Sequence, residues 1–204
     1  MKTKIYAWKL KDIIMVGLIG SLFAFICYGT GLGLVPLLQI PVALTGMPAT
    51  YALDFIYGVF FMAPVIAAYI IRKPGVALVA SMITAFVQFL MGMTHLVFVS
   101  AFLQGGFAEL AFAAFKYNKW NWGTMMLAAA GATVASFGWT WWTLGYFMLE
   151  GMTVGIAAIL FFTRLASAAL FTATISLLLA EGLSKTGVLR NYPISEKLTV
   201  DLDE

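Results

Sequence analysis

Apolar runs about twenty residues long, divided by short polar or turn-forming segments, set the pattern of this chain. From Ile13 to about Leu34 nearly every position is apolar, roughly the 20 residues that cross about 30 Å of hydrocarbon at 1.5 Å per residue. Comparable runs cover about 52–71, 76–92, 96–115, 124–145 and 151–180. In hydrocarbon the backbone must satisfy its own hydrogen bonds, so the pattern predicts an all-α integral membrane protein, a bundle of six transmembrane helices. Segment 35–50 carries Pro36, Pro41, Gly46 and Pro48 among apolar residues. It is expected as a broken outer connection, either lying in the interface or folded over a pocket as a lid. The membrane domain then takes residues 1–183, with a polar tail over 184–204.

Composition agrees. The 204 residues are 62% hydrophobic and 10% charged, with a mean hydropathy of +0.96. Twelve basic and nine acidic residues could not cover a soluble exterior. The first run lacks a small-x-small cleavage site, so it is read as a membrane helix rather than a signal peptide. Cations fall at Lys2, Lys4, Lys9 and Lys11, at Arg72 and Lys73, at Lys116 and Lys119, and at Lys185, Arg190 and Lys197. With both termini cytoplasmic all of them lie on the inner side and the outer connections hold none, which satisfies the positive-inside rule. Tyr6 and Trp8 sit among the first cations, as at an interface facing anionic lipid. Dispersed in this way, the charge is not a nucleic-acid signature.

Several chemistries are excluded. Cys27 is alone, and His95 has no second His or Cys at ligand spacing, so neither a disulfide framework nor a metal site is expected. Gly29-x-Gly31-x-Gly33 lacks the Lys-Ser/Thr of a phosphate loop, and no GxxxxGK[ST] motif occurs, so the chain does not hydrolyse ATP itself. No nucleophile and base pair off as in a membrane-embedded protease or oxidase, and neither an enzyme nor a cofactor is expected.

The polar groups at membrane depth carry the functional reading. Ser81, Thr84 and Gln88 share one helical face, with Gln88 about twelve residues from the inner end of its helix. Gln104 and Glu109 lie about eight and thirteen residues from the outer end of theirs, and Arg164 about thirteen from the outer end of the last. Asp54, His95, Trp139, Trp141, Trp142, Thr143, Glu150 and Thr153 lie nearer the outer surface. That crowding suggests a pocket opening outward. A charge near the bilayer centre needs a partner. Glu109 and Arg164, at matching depths, are either a brace between helices or a ligand site in which Arg164 fixes Glu109. Gly105-Gly106 allows close approach of a neighbour or a ligand. Gln88 is open between an interhelical hydrogen bond and ligand contact. Trp139 and Trp142 are open between an interfacial belt and a surface stacking on a flat or cationic ligand. Gly17 with Ser21 and Gly20 with Ala24 form small-xxx-small pairs, able to dock another helix of this chain or a separate subunit. A small body with an outward pocket and no motor reads as a binding subunit that needs partners.

Particular residues then carry a resemblance: Trp8-Lys9-Leu10-Lys11-Asp12, Ile56-Tyr57-Gly58-Val59-Phe60-Phe61, Ile66 to Gly75, Gln104-Gly105 with Ala108-Glu109, Arg164-Leu165, and Thr186-Gly187-Val188-Leu189. In combination they resemble the YkoE-type S components of energy-coupling factor (ECF) transporters. The resemblance implies a six-helix subunit that captures thiamine, hydroxymethylpyrimidine or a related heterocycle from outside. It also implies association with a transmembrane coupling protein and two ABC-type ATPases, and transport by toppling in the membrane. Gly17, Gly20, Ser21 and Ala24 are then similar to the docking surface. Glu109 is expected to bind the cation or aminopyrimidine edge, Gln88 and Gln104 to bond ring nitrogens, and Trp139 or Trp142 to stack. The chain departs from the family at the third helix, where Ser81 and Gln88 replace residues that are often acidic. A membrane scaffold, an S component for another vitamin, and an intramembrane enzyme on a lipid are the alternatives.

Overall fold

The computed structural model describes residues 7–46, 48–143 and 153–195. Lys2, Lys4, Tyr6, Glu150 and Lys197 lie outside the described residues, as do both sides of the predicted boundary between the fifth and sixth spans. The described residues are helical with no strand: α1 (Leu10–Leu44), α2 (Tyr57–Ile71), α3 (Val76–Leu90), α4 (Leu96–Ala114), α5 (Trp122–Thr143) and α6 (Val154–Lys185). By length and composition α1, α4 and α6 can cross a membrane, and α2 and α3 are shorter apolar helices.

Centrally placed, α2 has every residue from Met62 to Ile71 buried. It is apolar all round, as a helix enclosed by others must be, and α1, α3 and α6 pack around it. Its first turn, Tyr57–Phe61, is a tighter 3₁₀ helix. There Gly58 lies so close to α6 that a Cβ would come within 2.3 Å of the Ser167 carbonyl oxygen. The Gly58 N–H donates to Ser167 Oγ at 3.0 Å, and Thr172 Oγ1 donates to the Gly58 carbonyl at 2.7 Å. At this crossing α6 passes into a π-helical stretch, Ala168–Ile175.

The segment from residue 35 differs from its expectation. Rather than breaking, the first helix continues through Pro36 and Pro41 to Leu44. A π-helical turn, Thr30–Leu34, precedes Pro36, and the Val35 N–H reaches back to the Thr30 carbonyl. The wider turn accommodates a residue that cannot donate and would crowd the preceding turn. The chain leaves the helix only at Gly46, whose φ of +79° favours glycine. A separate 3₁₀ helix, Ala49–Phe55, then leads to α2.

At the other end of the bundle, Arg72 in the left-handed region closes α2 and Gly75, φ +84°, opens α3. This turn is fastened to the start of the chain: Trp8 Nε1 donates to the Pro74 carbonyl at 3.3 Å, and Lys73 Nζ lies 2.6 Å from Asp12 Oδ2. The expected polar tail also folds back here, because Leu189, Tyr192 and Ile194 are buried in the main core. The Tyr192 hydroxyl donates to the Lys11 carbonyl at 2.8 Å. Burial, with the nearby Asp12 charge adding to it, pushes its pKa above the ordinary tyrosine value.

Candidate functional site

A cavity of about 160 Å³ opens between α1, α2, α3 and α4. Helix α3 supplies Ser81, Thr84, Ala85 and Gln88, whose spacing places them on one face. Val97, Ser100, Ala101 and Gln104 come from α4 at the same helical spacing, Tyr57, Phe60 and Pro64 from α2, and Cys27 from α1. An apolar wall carrying a few convergent polar groups is the usual form of a small-molecule site.

The polar groups of the cavity divide into two sets. Ser81 Oγ donates to the Ala101 carbonyl at 2.8 Å, and Thr84 Oγ1 to the carbonyls of Ala80 at 2.9 Å and Gly20 at 3.1 Å. These hydroxyls fasten helix crossings made close by glycine. A Cβ on Gly105 would come within 2.6 Å of Ser81 Cβ, and one on Gly20 within 2.8 Å of Ile83 Cγ2. The second set faces the cavity. Gln104 Nε2 donates to Ser100 Oγ at 2.6 Å, the Tyr57 side chain lines the same space, and Gln88, 9% exposed, brings a second carboxamide.

Behind Tyr57 lies the buried charge. Arg164 and Asp54 are both 0% exposed, with Arg164 Nε 2.5 Å from Asp54 Oδ1. Arg164 Nη1 donates to Thr140 Oγ1 at 2.7 Å and Ser136 Oγ at 3.3 Å. Its Cζ stands 3.9 Å from the Tyr57 ring centroid, a cation over an aromatic face in a dry setting. Arg164 is thus held behind the wall of the cavity rather than in its lining.

The expected pairing of Glu109 with Arg164 is not what the chain makes. Glu109 Oε1 accepts from the Gly75 N–H at 2.7 Å and the Tyr117 hydroxyl at 2.6 Å, and Oε2 from the Ala77 N–H at 2.9 Å. It caps the start of α3, where a carboxylate satisfies orphan donors and complements the dipole. Gln88 is near the opposite end of that 15-residue helix, roughly 20 Å away at 1.5 Å per residue. Because α4 stops at Ala114, Glu109 falls in its last turns and reaches the connection between α2 and α3. Arg164 finds Asp54 instead, delivered by the 3₁₀ helix ahead of α2.

Of the other expected residues, Gln88 and Gln104 meet in the cavity. His95 is exposed on the turn before α4, Trp139 is half-buried and Trp142 is 73% exposed, and none of these three lines the cavity. The small-residue stripe of α1 divides: Gly20 and Ala24 are buried within the chain, while Gly17 and Ser21 stay partly exposed. Tyr57, quoted only within the family-like stretch 56–61, and Ser100 were not expected as site residues from the sequence. Ser100 precedes Gln104 by one helical turn, and Tyr57 follows Asp54 by three residues, which are the signals that could have found them. No group of three or more His, Cys, Asp and Glu able to hold a metal occurs among the described residues.

Comparison with known proteins accords with this arrangement. Residues 11–135 match the family model described as an ABC-type cobalt transport system, permease component. The Bacillus subtilis (strain 168) protein YkoE, which carries the name of an HMP/thiamine permease, is 34% identical over 195 residues, 94% of this chain and 92% of that protein. A crystal structure of an S-component of an ECF transporter superposes with a TM-score of 0.82 at 32% identity, over 97% of this chain and 96% of that one. With sequence and fold both matched almost end to end, this integral membrane chain belongs to the YkoE-type S components of ECF transporters.

Proposed function

We propose that the chain is the capturing subunit of an ATP-driven ECF importer, taking hydroxymethylpyrimidine, thiamine or a related heterocycle from outside. The observation that carries the reading is the cavity, where the Gln88 and Gln104 carboxamides, Ser100 and Tyr57 converge on a mostly apolar space. Amide groups offer both donors and acceptors, the complement of a heteroaromatic edge. In this reading the chain spans the membrane six times with both ends cytoplasmic, and the cavity lies in its outer half. A transmembrane coupling protein and two ATPase subunits supply the motor, docking along the lipid-facing side of α1 near Gly17 and Ser21. The exposed Leu18, Leu22 and Phe25 belong to the same helix. Cobalt as cargo is supported less well, since such cations prefer imidazole, thiolate or carboxylate donors and, among the described residues, the lining brings only Cys27 of these.

Equilibrium binding of both heterocycles to purified protein, with Gln104→Ala alongside, tests the capture role. Tight binding lost in the variant is expected, and no binding of either compound would sink it. For the topology, a cysteine at Gly46 should label from outside intact cells and one at Asn118 should not; the reverse result overturns the orientation.

A further inference from the structure

We propose that the end of the bundle carrying the α2–α3 turn holds a second site, one that takes the phosphate headgroup of an anionic phospholipid. The proposal does not depend on what the first cavity binds. A cavity of about 320 Å³ is lined here by Lys9 and Lys11 from the start of α1, Lys73 from the turn, and Arg190 from the folded-back tail. Asp12, Asn191 and Tyr192 add to its polar wall, beside the buried Ile71.

Three segments distant in the chain bring these cations together, and the fold holds two of them in place. Lys73 Nζ gives two of its three N–H groups to Asp12 Oδ2 and the Ala7 carbonyl, both at 2.6 Å. Lys11 Nζ donates to the carbonyl of Asn191, 180 residues away in the chain, and stands 5.0 Å from the centroid of the Tyr192 ring. The Tyr192 hydroxyl returns a bond to the Lys11 carbonyl. Two long side chains are thus ordered before any ligand arrives, which lowers the entropy cost of closing them on one. This separates the cluster from a solvated basic face, where each side chain moves alone. Asp12 pairs with Lys73, and Lys9, Lys11 and Arg190 line the cavity beside that pair. A phosphodiester matches them, because its charged oxygens accept the strong hydrogen bonds that Lys and Arg donate to phosphate.

The surroundings favour a lipid over a free anion. Leu10, Ile13 and Ile14 neighbour Lys9 and Lys11 on α1 and are 73%, 54% and 54% exposed. Ile14 lies three residues on from Lys11, on the same helical face, so an acyl chain can follow apolar surface directly from the headgroup. Trp8, anchored through Nε1 to the Pro74 carbonyl, sets an amphipathic ring at the same level, as at a membrane interface. In the orientation proposed above, this end meets the cytoplasmic leaflet, whose anionic lipids attract such clusters.

The test uses the purified full chain in dodecyl maltoside, titrated with dioleoyl phosphatidylglycerol or dioleoyl phosphatidylcholine, with retained lipid read by native mass spectrometry. Phosphatidylglycerol is expected to bind at least about tenfold more tightly. Lys9→Gln combined with Arg190→Gln removes two lining charges, leaves the Lys11 and Lys73 bonds in place, and should weaken that binding by about tenfold or more. Lys116→Gln combined with Lys119→Gln removes the same charge from the connection after α4, outside the cavity, and should change it by less than about twofold. Equal affinity for the two lipids in the wild-type chain overturns the proposal. Equal losses in the two double variants overturn it as well, by showing only the diffuse attraction of a basic face. Inorganic phosphate that binds as tightly as phosphatidylglycerol overturns the lipid as the ligand. The wild-type lipid comparison decides the matter even if the Lys9 and Arg190 variant does not fold.

Discussion

Replacing Glu109 by Gln separates the sequence expectation for this residue from the role the fold assigns it. The carboxylate accepts three hydrogen bonds, from the Gly75 and Ala77 N–H groups and the Tyr117 hydroxyl, at 2.7, 2.9 and 2.6 Å. Hydrogen bonds to a charged group contribute about 1.5–3 kcal/mol each, against about 1 kcal/mol for neutral pairs. A carboxamide keeps one acceptor oxygen and turns an NH₂ toward at least one of these donors, so one bond is lost and the others weaken. The half-buried position softens the penalty. A loss of about 2 kcal/mol follows, which lowers the Tm of a chain this size by about 4–8 °C. Thermal unfolding in detergent, followed by tryptophan fluorescence, reads that change. Because Glu109 lies outside the cavity, ligand affinity measured well below the transition should stay within about twofold, a small fraction of the 1.4 kcal/mol that a tenfold change represents. An unchanged Tm together with binding weakened more than tenfold would refute the reasoning and restore Glu109 as a ligand contact.

Other substitutions probe the frame of the site. Arg164→Met leaves Asp54 buried without its cation and is expected to cost about 3–5 kcal/mol, measured as lost folded yield or Tm; the double variant with Asp54→Asn should recover much of it, and no recovery would show that the pair is not the issue. The adjacent glycines of α4 should respond in opposite directions. Gly105→Ala drives a Cβ to within 2.6 Å of Ser81 and should cost about 1–3 kcal/mol by overpacking. Gly106→Ala meets nothing within 4 Å and should stabilise by up to about 1 kcal/mol through helix propensity. Equal effects in thermal unfolding would contradict the packing assigned to this crossing.

The membrane class, the apolar runs and the polar face Ser81-Thr84-Gln88 were legible in the chain because they depend on local composition and helical period. Gln104 was legible for the same reason, as a polar group inside an apolar run. Proline content misled at Pro36, since whether a helix breaks or absorbs the residue in a π turn depends on what surrounds it. The tail was read from its polarity, although Leu189, Tyr192 and Ile194 bury against the end of the bundle. Depth counted along one helix could not pair Arg164, because Asp54 reaches it from the 3₁₀ segment Ala49–Phe55, 110 residues away in the chain. What the sequence alone determined is which residues are too costly to leave unpartnered in hydrocarbon. Their partners were decided only by the tertiary structure, which places Glu109 on the N–H groups of Gly75 and Ala77, Arg164 on Asp54, and leaves the carboxamides of Gln88 and Gln104 facing a mostly apolar cavity. Charge and hydropathy belong to a residue, whereas pairing depends on distances between helices that are far apart in the chain.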